Sequence, residues 1–202
     1  MKKSNETRQF IIEKAAPIFN KHGYVGTSMS QLVKAIGMTK GAIYGNFKDK
    51  DELAFAALDY NLSKLIWERL EKIKKNEKDA NNRIISFVSF NSNDFTDLSN
   101  QILKSGGCPM LNGIVDSEFT HEKLKEYIRI AVKKWLESIE NIIRDGIEAK
   151  QIKEDIDPKY YASLFGSLIE GGQMLHRATG DLIHLEFNIR HVTHIINTQL
   201  RA

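Results

Sequence analysis

The sequence predicts an all-α protein of about nine helices, with a small basic helix-turn-helix head and a larger helical body. Three observations predict it. Apolar residues recur at helical spacing along most of the 202 residues and alternate at strand spacing nowhere for long. Only three prolines interrupt that pattern. Residues 1–53 carry nine Lys or Arg against five acids, a net of +4, while the remaining 149 residues sum to −1. Positive charge gathered in a small segment suits a polyanion partner.

The elements follow in order. Ile12, Ala15, Ala16 and Phe19 fall at i, i+3, i+4 and i+7, giving a first helix from about Ser4 that Gly23 ends. Thr27 and Ser28 can cap a second helix through Met29, Leu32, Val33 and Ile36, which stops at Gly37. A third helix, about eight residues long, is expected from Thr39 to Phe47. Asp49 caps a long fourth helix through Leu53, Ala57, Tyr60 and Leu65 toward Lys75. The polar run KKNEKDANN makes a turn, and Ile84, Ile85, Phe87, Val88 and Phe90 belong to a fifth helix with a polar continuation from Asn91 to Lys104.

SGGCP breaks the chain, and Pro109 suits the first position of a sixth helix. Leu124, Tyr127, Ile128, Ala131, Trp135, Ile139 and Ile142 define a long seventh. Asp157 caps an eighth with Pro158 in its first turn and a stripe of Tyr161, Leu164, Phe165, Leu168, Ile169 and Gly172. ATGD closes it, and Leu185, Ile189, Val192 and Ile196 mark a ninth. The stripes of the eighth and ninth helices, Tyr161, Leu164, Phe165, Leu168, Ile169, Gly172, Ile189, Val192 and Ile196, are expected to form a dimer interface, a four-helix bundle about a two-fold axis.

Several function classes drop out on composition. With 42% hydrophobic and 27% charged residues the chain reads as globular, and no uninterrupted apolar stretch is long enough for a bilayer, so no membrane partner and a cytoplasmic location are expected. The single cysteine, Cys108, excludes an internal disulfide and a multi-cysteine zinc site, and a small residue filling a break is its simplest role. His191 and His194 are three apart but lack a clear third ligand, so no metal is expected. Glu170 and His176 offer an acid and a base without a nucleophile, phosphate loop or paired carboxylates, so no catalytic residue and no cofactor are expected. The alternatives to DNA binding are a helical ligand-binding or scaffold protein without operator binding, and, behind it, an enzyme.

The stretch AIGMTKGAIYGNF, residues 35–47, carries the positive reading. Two helices joined by a tight turn containing glycine make a helix-turn-helix, whose second helix enters the major groove. Ile43 and Phe47, four apart, can anchor that helix inward, leaving Lys40, Gly41, Tyr44 and Gly45 on other faces. Lys40 can reach a guanine edge or a phosphate, and Tyr44 and Asn46 can donate to phosphate oxygens. Glycine there lowers helix propensity by roughly 1 kcal/mol, tolerable where backbone must approach closely.

Residues 8–53, RQFIIEKAAPIFNKHGYVGTSMSQLVKAIGMTKGAIYGNFKDKDEL, resemble the amino-terminal domain of the tetracycline-repressor (TetR/AcrR) family of bacterial transcriptional regulators. The resemblance implies a homodimeric, all-helical regulator that binds a double-stranded palindromic operator through residues 1–53 and a small-molecule effector through residues 54–202. It implies DNA contacts from Thr27, Ser28 and Ser30 on the second helix, from Thr39, Lys40, Gly41, Ala42, Tyr44, Gly45 and Asn46 on the third, and from Lys50 near the start of the fourth. Gly45 stands where the family often has a bulkier residue. For the effector, Trp67, Phe87, Phe90, Met110, Trp135, Phe165, Gln173 and His176 are candidate pocket residues.

Overall fold

A computed structural model describes residues 2–89 and 106–202. Among these, helices account for nearly all regular structure, with one isolated antiparallel bridge between Ile152 and Arg201. We number the helices α1 (Lys2–Gly26), α2 (Met29–Ile36), α3 (Lys40–Tyr44), α4 (Lys50–Leu62, continued through a π-helical turn Ser63–Trp67 and Glu68–Asn76), α5 (Ala80–Ser89), α6 (Pro109–Ser117), α7 (Glu122–Glu148), α8 (Pro158–Thr179) and α9 (Ile183–Ile195, ending in a π-helical turn Ile196–Leu200). The all-α expectation holds. Phe90 and the polar run from Asn91 to Lys104 lie outside the described residues.

The chain divides into two compact units, one of residues 1–67 and 102–129, the other of 68–101 and 130–202. By packing, the first unit therefore extends past the boundary expected at residue 53.

In the first unit α1 and α4 pack side by side, with α2 and α3 closing one end. Its core is Ile11, Ala15, Ala16, Phe19, Leu32, Ile36, Ile43, Phe47, Leu53, Ala54 and Ala57. Pro17 lies inside α1, yet the buried residues on both sides of it hold one helical register. The helix breaks six residues later at Gly23 (φ 73°, ψ 174°), a left-handed φ that favours glycine. A Cβ there would also fall 2.5 Å from Asp116 Oδ1 of α6. The start of α6 docks on α1 by polar ties. Asn20 Nδ2 donates to the Gly107 carbonyl at 2.9 Å, and Asn112 Nδ2 donates to the Gly106 and Asn20 carbonyls at 2.7 and 2.9 Å.

The second unit buries Phe87, Val88, Trp135, Ile139, Ile142, Phe165, Ile169, Val192 and Ile196 between α5, α7, α8 and α9. Asp157 caps α8 from outside, accepting from Lys159 N at 3.0 Å, and Pro158 occupies its first turn. Gly180, in the left-handed region, ends it. Asn188 Nδ2 of α9 donates to the Leu168 carbonyl of α8 at 2.7 Å.

In this packing part of the expected dimer stripes serves the unit's own core. Phe165, Ile169, Val192 and Ile196 are at most 1% exposed, and Gly172 is buried with its Cβ direction 3.0 Å from Leu185 Cα of the same chain. These residues close α8 onto its own unit. Tyr161, Leu164, Leu168 and Ile189 are half-buried at the margin. The apolar residues that α8 and α9 leave in solvent are instead Tyr160, Met174, Leu175, Ile183 and Phe187.

Candidate nucleic-acid interface

The candidate interface is built by caps. Ser28 Oγ accepts from Gln31 N at 3.2 Å while Gln31 Oε1 accepts from Ser28 N at 2.7 Å, a reciprocal capping box that starts α2. Gly37, at φ 74°, ends α2 and donates its N–H to the Val33 carbonyl. After the three residues Gly37, Met38 and Thr39, Thr39 Oγ1 accepts from Ala42 N at 3.1 Å and starts α3. The tight turn predicted from sequence is present. The third helix is shorter than expected: it spans five residues, so its axis is about 7.5 Å long at 1.5 Å per residue.

Ile43 and Phe47, 1% and 2% exposed, anchor this short helix in the head core. Ser28, Ser30, Thr39, Lys40, Gly41, Tyr44 and Gly45 are exposed, and Ala42 is half-buried. A Cβ at Gly41 would meet nothing within 4 Å, so this part of the backbone is open to a close partner. Lys40 Nζ lies 5.7 Å from the centre of the Tyr44 ring.

Three sequence-predicted contacts are occupied otherwise. Thr27 is fully buried, and its hydroxyl donates to the Gly23 carbonyl at 2.6 Å, splicing the broken end of α1 to α2. Asn46 Nδ2 folds back to the Ala42 carbonyl at 2.9 Å. Lys50 Nζ donates to the Tyr24 carbonyl at 2.6 Å and sits 4.2 Å from the centre of its ring; burial lowers its pKa below the usual lysine value.

Two side-chain networks were missed by sequence reasoning. In the first, Arg8 on α1 donates from Nη1 to the Asn46 carbonyl and from Nη2 to Glu52 Oε1 at 2.8 Å, with its guanidinium 4.0 Å from the Phe47 ring centre. Glu52 also accepts from Lys48 N at 2.7 Å; that bond, with Arg8 second, lowers its pKa. In the second, Asp116 accepts from Tyr24 N at 2.6 Å, taking an N–H released by the break at Gly23. The Tyr24 hydroxyl donates to Asp51, whose other oxygen lies 3.2 Å from His121 Nε2. His121 Nδ1 accepts from Leu124 N at 3.1 Å, which leaves Nε2 to face Asp51 as the donor. Burial, aided by Asp51, pushes the Tyr24 hydroxyl up to about 12, and the same hydroxyl lowers the Asp51 pKa. Only Glu52 had a local signal, since it stands three residues after the capping Asp49. Arg8, Asp116 and His121 act across 38 to 92 residues of chain, beyond any periodicity.

The effector candidates divide between the two units. Trp67 and Met110 belong to the first unit, and Phe87, Trp135, Phe165, Gln173 and His176 to the second. Phe87, Met110, Trp135, Phe165 and Gln173 are all buried, at most 9% exposed. A small cavity of about 40 Å³ opens in the first unit among α1, α4, α6 and α7, lined by Phe19, Tyr24, Asn61, Asn112, Asp116 and Ile128 among others. It has room for water and contains none of the candidate residues. Among the described residues no group of three or more His, Cys, Asp or Glu is placed to hold a metal, and no helix is long and apolar enough to cross a membrane.

Comparison with known proteins gives two family matches. The model described as bacterial regulatory proteins, tetR family, matches residues 11–57, and the one described as tetracyclin repressor-like, C-terminal domain, matches residues 92–192. A TetR-family transcriptional regulator from Cytophaga hutchinsonii is 32% identical, with a TM-score of 0.89 over 100% of this chain and 98% of that one. A TetR transcriptional regulator from Chloroflexus aurantiacus J-10-FL is also 32% identical, with a TM-score of 0.86 over 100% and 99%. The HTH-type transcriptional regulator AcrR of Shigella flexneri is 46% identical over 50 residues, which are 25% of this chain and 23% of that protein.

Proposed function

The chain belongs to the TetR family of bacterial transcriptional regulators, with a helix-turn-helix DNA-binding domain, and from that premise we propose that it is a repressor, binding a palindromic operator as a homodimer and released by a small-molecule effector. The observation that carries the DNA-binding part is the outward face of α3. Lys40, Gly41 and Tyr44 are exposed side by side on a capped helix that Ile43 and the following Phe47 seat on the head. Lys40 supplies charge for a phosphate or a guanine edge, Tyr44 a hydroxyl, and Gly41 room for close backbone approach. Ser28, Ser30 and Thr39 lie exposed beside them and complete the reading. Thr27 and Lys50 support it indirectly, by fixing the turn that carries Ser28.

One recognition helix of five residues touches too few bases to select a genomic site, so a two-fold dimer is part of the proposal. Its surface is the exposed apolar face of α8 and α9, where Met174, Leu175, Ile183 and Phe187 are 39% to 54% exposed. A second copy of the same face would cover them. Effector binding is assigned to the second unit, where Gln173 is a buried polar side chain on the helix that carries Phe165. The effector must favour a dimer state of lower operator affinity, and DNA must weaken effector binding by the same factor.

The test is selection of DNA fragments by the purified protein, followed by sequencing. An inverted repeat with half-sites about one helical turn apart is expected, and binding should weaken steeply with salt as counterions are released. Recovery of no common sequence, or salt-independent binding, overturns the reading.

A further inference from the structure

We propose that Arg8 is a positioning residue for recognition: it sets the pose of α3 through the Asn46 carbonyl, the Phe47 ring and the Glu52 carboxylate, without touching DNA. The proposal rests on the DNA-binding reading above. It begins from the length of α3. A helix of five residues is barely longer than one turn and gains little from its own hydrogen bonds, so its orientation must come from outside it. Ile43 and Phe47 reach into the core, but two anchors four residues apart define only a line, about which the helix can rock. Rocking about that line would move Lys40 and Tyr44, which lie off it.

Arg8 supplies the missing third attachment. Nη1 donates to the carbonyl of Asn46, just past the end of the helix, and the guanidinium carbon lies over the Phe47 ring, 4.0 Å from its centre. The second arm, Nη2, holds Glu52 at 2.8 Å in the first turn of α4. Glu52 is fixed in turn by Lys48 N at 2.7 Å, and its own N–H is held by Asp49 Oδ1 at 2.8 Å. One planar group therefore ties α1, the end of α3 and the start of α4 together. Only a rigid fork can make a stacking contact and two differently aimed hydrogen bonds at once; a lysine in its place would keep the charge and lose the geometry. The Arg8 and Glu52 side chains are 36% and 42% exposed, and exposed ion pairs add little to global stability. The effect should therefore appear in recognition more than in the melting temperature. The charge of Arg8, counted with the basic head, is paired within the head with Glu52.

The test compares full-length Arg8→Lys and Glu52→Gln with the wild type, using a DNA fragment selected by the wild-type protein and amide hydrogen exchange of the free protein. Arg8→Lys should bind about tenfold more weakly, comparable to the loss of one good contact. Its salt slope should equal the wild-type slope, whereas removal of a phosphate contact lowers it by about one. Glu52→Gln separates the alternatives by sign, because removing a negative charge near a polyanion should tighten binding by Coulomb attraction, while a lost clamp weakens it. In both variants exchange should rise over residues 43–48 with the melting temperature nearly unchanged. Wild-type or tighter binding with unchanged exchange overturns the proposal, and so does a reduced salt slope in Arg8→Lys. If the wild type selects no DNA sequence, the DNA-binding reading has failed, and exchange over residues 43–48 alone then decides whether Arg8 clamps α3.

Discussion

The head and the α8–α9 pair use amphipathic helices to opposite ends. In the head, the large aliphatic side chains of α2 and α3 are buried or half-buried, and the outer face is mainly polar or small: Ser28, Ser30, Gln31, Lys34, Thr39, Lys40 and Gly41, with Tyr44 beside them. In α8 and α9, Phe165, Ile169, Val192 and Ile196 are buried and a second apolar set is still exposed, with Met174 at 54% and Phe187 at 51%. A polar, glycine-bearing outer face gains nothing from an apolar partner and suits a hydrated polyanion. An apolar outer face costs free energy in water until something apolar covers it. The same folding rule thus leaves one surface suited to DNA and another suited to protein.

The largest effect that can break this comparison comes from exchanging the two faces of α8 and α9. Phe165 is fully buried, so Phe165→Ala should cost about 3–5 kcal/mol in urea unfolding. Phe187, half exposed on α9, should tolerate Phe187→Asp with its helical content intact. That variant should sediment as a monomer, and its stability should no longer depend on protein concentration. If Phe187→Asp remains dimeric, the exposed face of α9 is not the interface.

A second, smaller effect tests the head's outer face. Lys40→Ala and Tyr44→Phe should each weaken operator binding by roughly 1 to 3 kcal/mol, with Lys40→Ala also lowering the salt slope by about one. Both side chains are exposed, so unfolding curves should be nearly superimposable on the wild type. Equal affinity of both variants and wild type in fluorescence anisotropy would mean that another surface meets the DNA.

The contrast also explains what could be read from the sequence. The head was legible because its signals are local: Gly37 ends α2 through its own left-handed φ, and Thr39 starts α3 through a bond three residues away. Its length was overestimated because Gly45, Asn46 and Phe47 continue the spacing of α3 while hydrogen-bonding as a terminating turn. The stripes on α8 and α9 were legible as stripes, but periodicity cannot tell a core face from an interface face when both are apolar. Pro17 shows the reverse case, in which burial of Ala15, Ala16 and Phe19 carries a helix through a residue that disfavours it. Arg8, Asp116 and His121 were invisible, since their partners are chosen by tertiary packing.

A third prediction measures how much of the head rests on those local signals. Ser28→Ala removes one half of the capping box and should cost about 1 kcal/mol, and Gly37→Ala forces a Cβ into φ 74° for a cost of about 1–2 kcal/mol. Urea unfolding reads both. Amide exchange should rise mainly over residues 28–44, leaving α8 and α9 protected. Uniform loss of protection across the chain would mean that the two regions unfold as one body, which removes the local reading of the caps.

The smallest effect is pH dependence, which should belong to the first unit. Asp51 and Glu52 are held below their usual pKa by the Tyr24 hydroxyl and by the Lys48 backbone N–H with Arg8. A depressed carboxylate contributes stability that is present above its unfolded value, about 4, and lost as pH falls through the folded value. Tyr24 and Tyr127 act with the opposite sign. Burial, reinforced by Asp51 and Asp59, pushes both hydroxyls up to about 12, so their stabilisation is complete below about 10 and lost as pH rises through the folded value. Stability should therefore decline on an acid limb below about pH 4 and on an alkaline limb above about pH 10. Because the carboxylates are substantially solvent-exposed, screening keeps the acid limb shallow. Asp51→Asn should flatten the acid limb, and Tyr24→Phe the alkaline one, each measured as the urea midpoint against pH. Exchange at the two extremes should rise first near residues 24 and 48–53. If α8 and α9 lose protection first instead, the pH dependence arises in the second unit and the Tyr24–Asp51 network does not govern it.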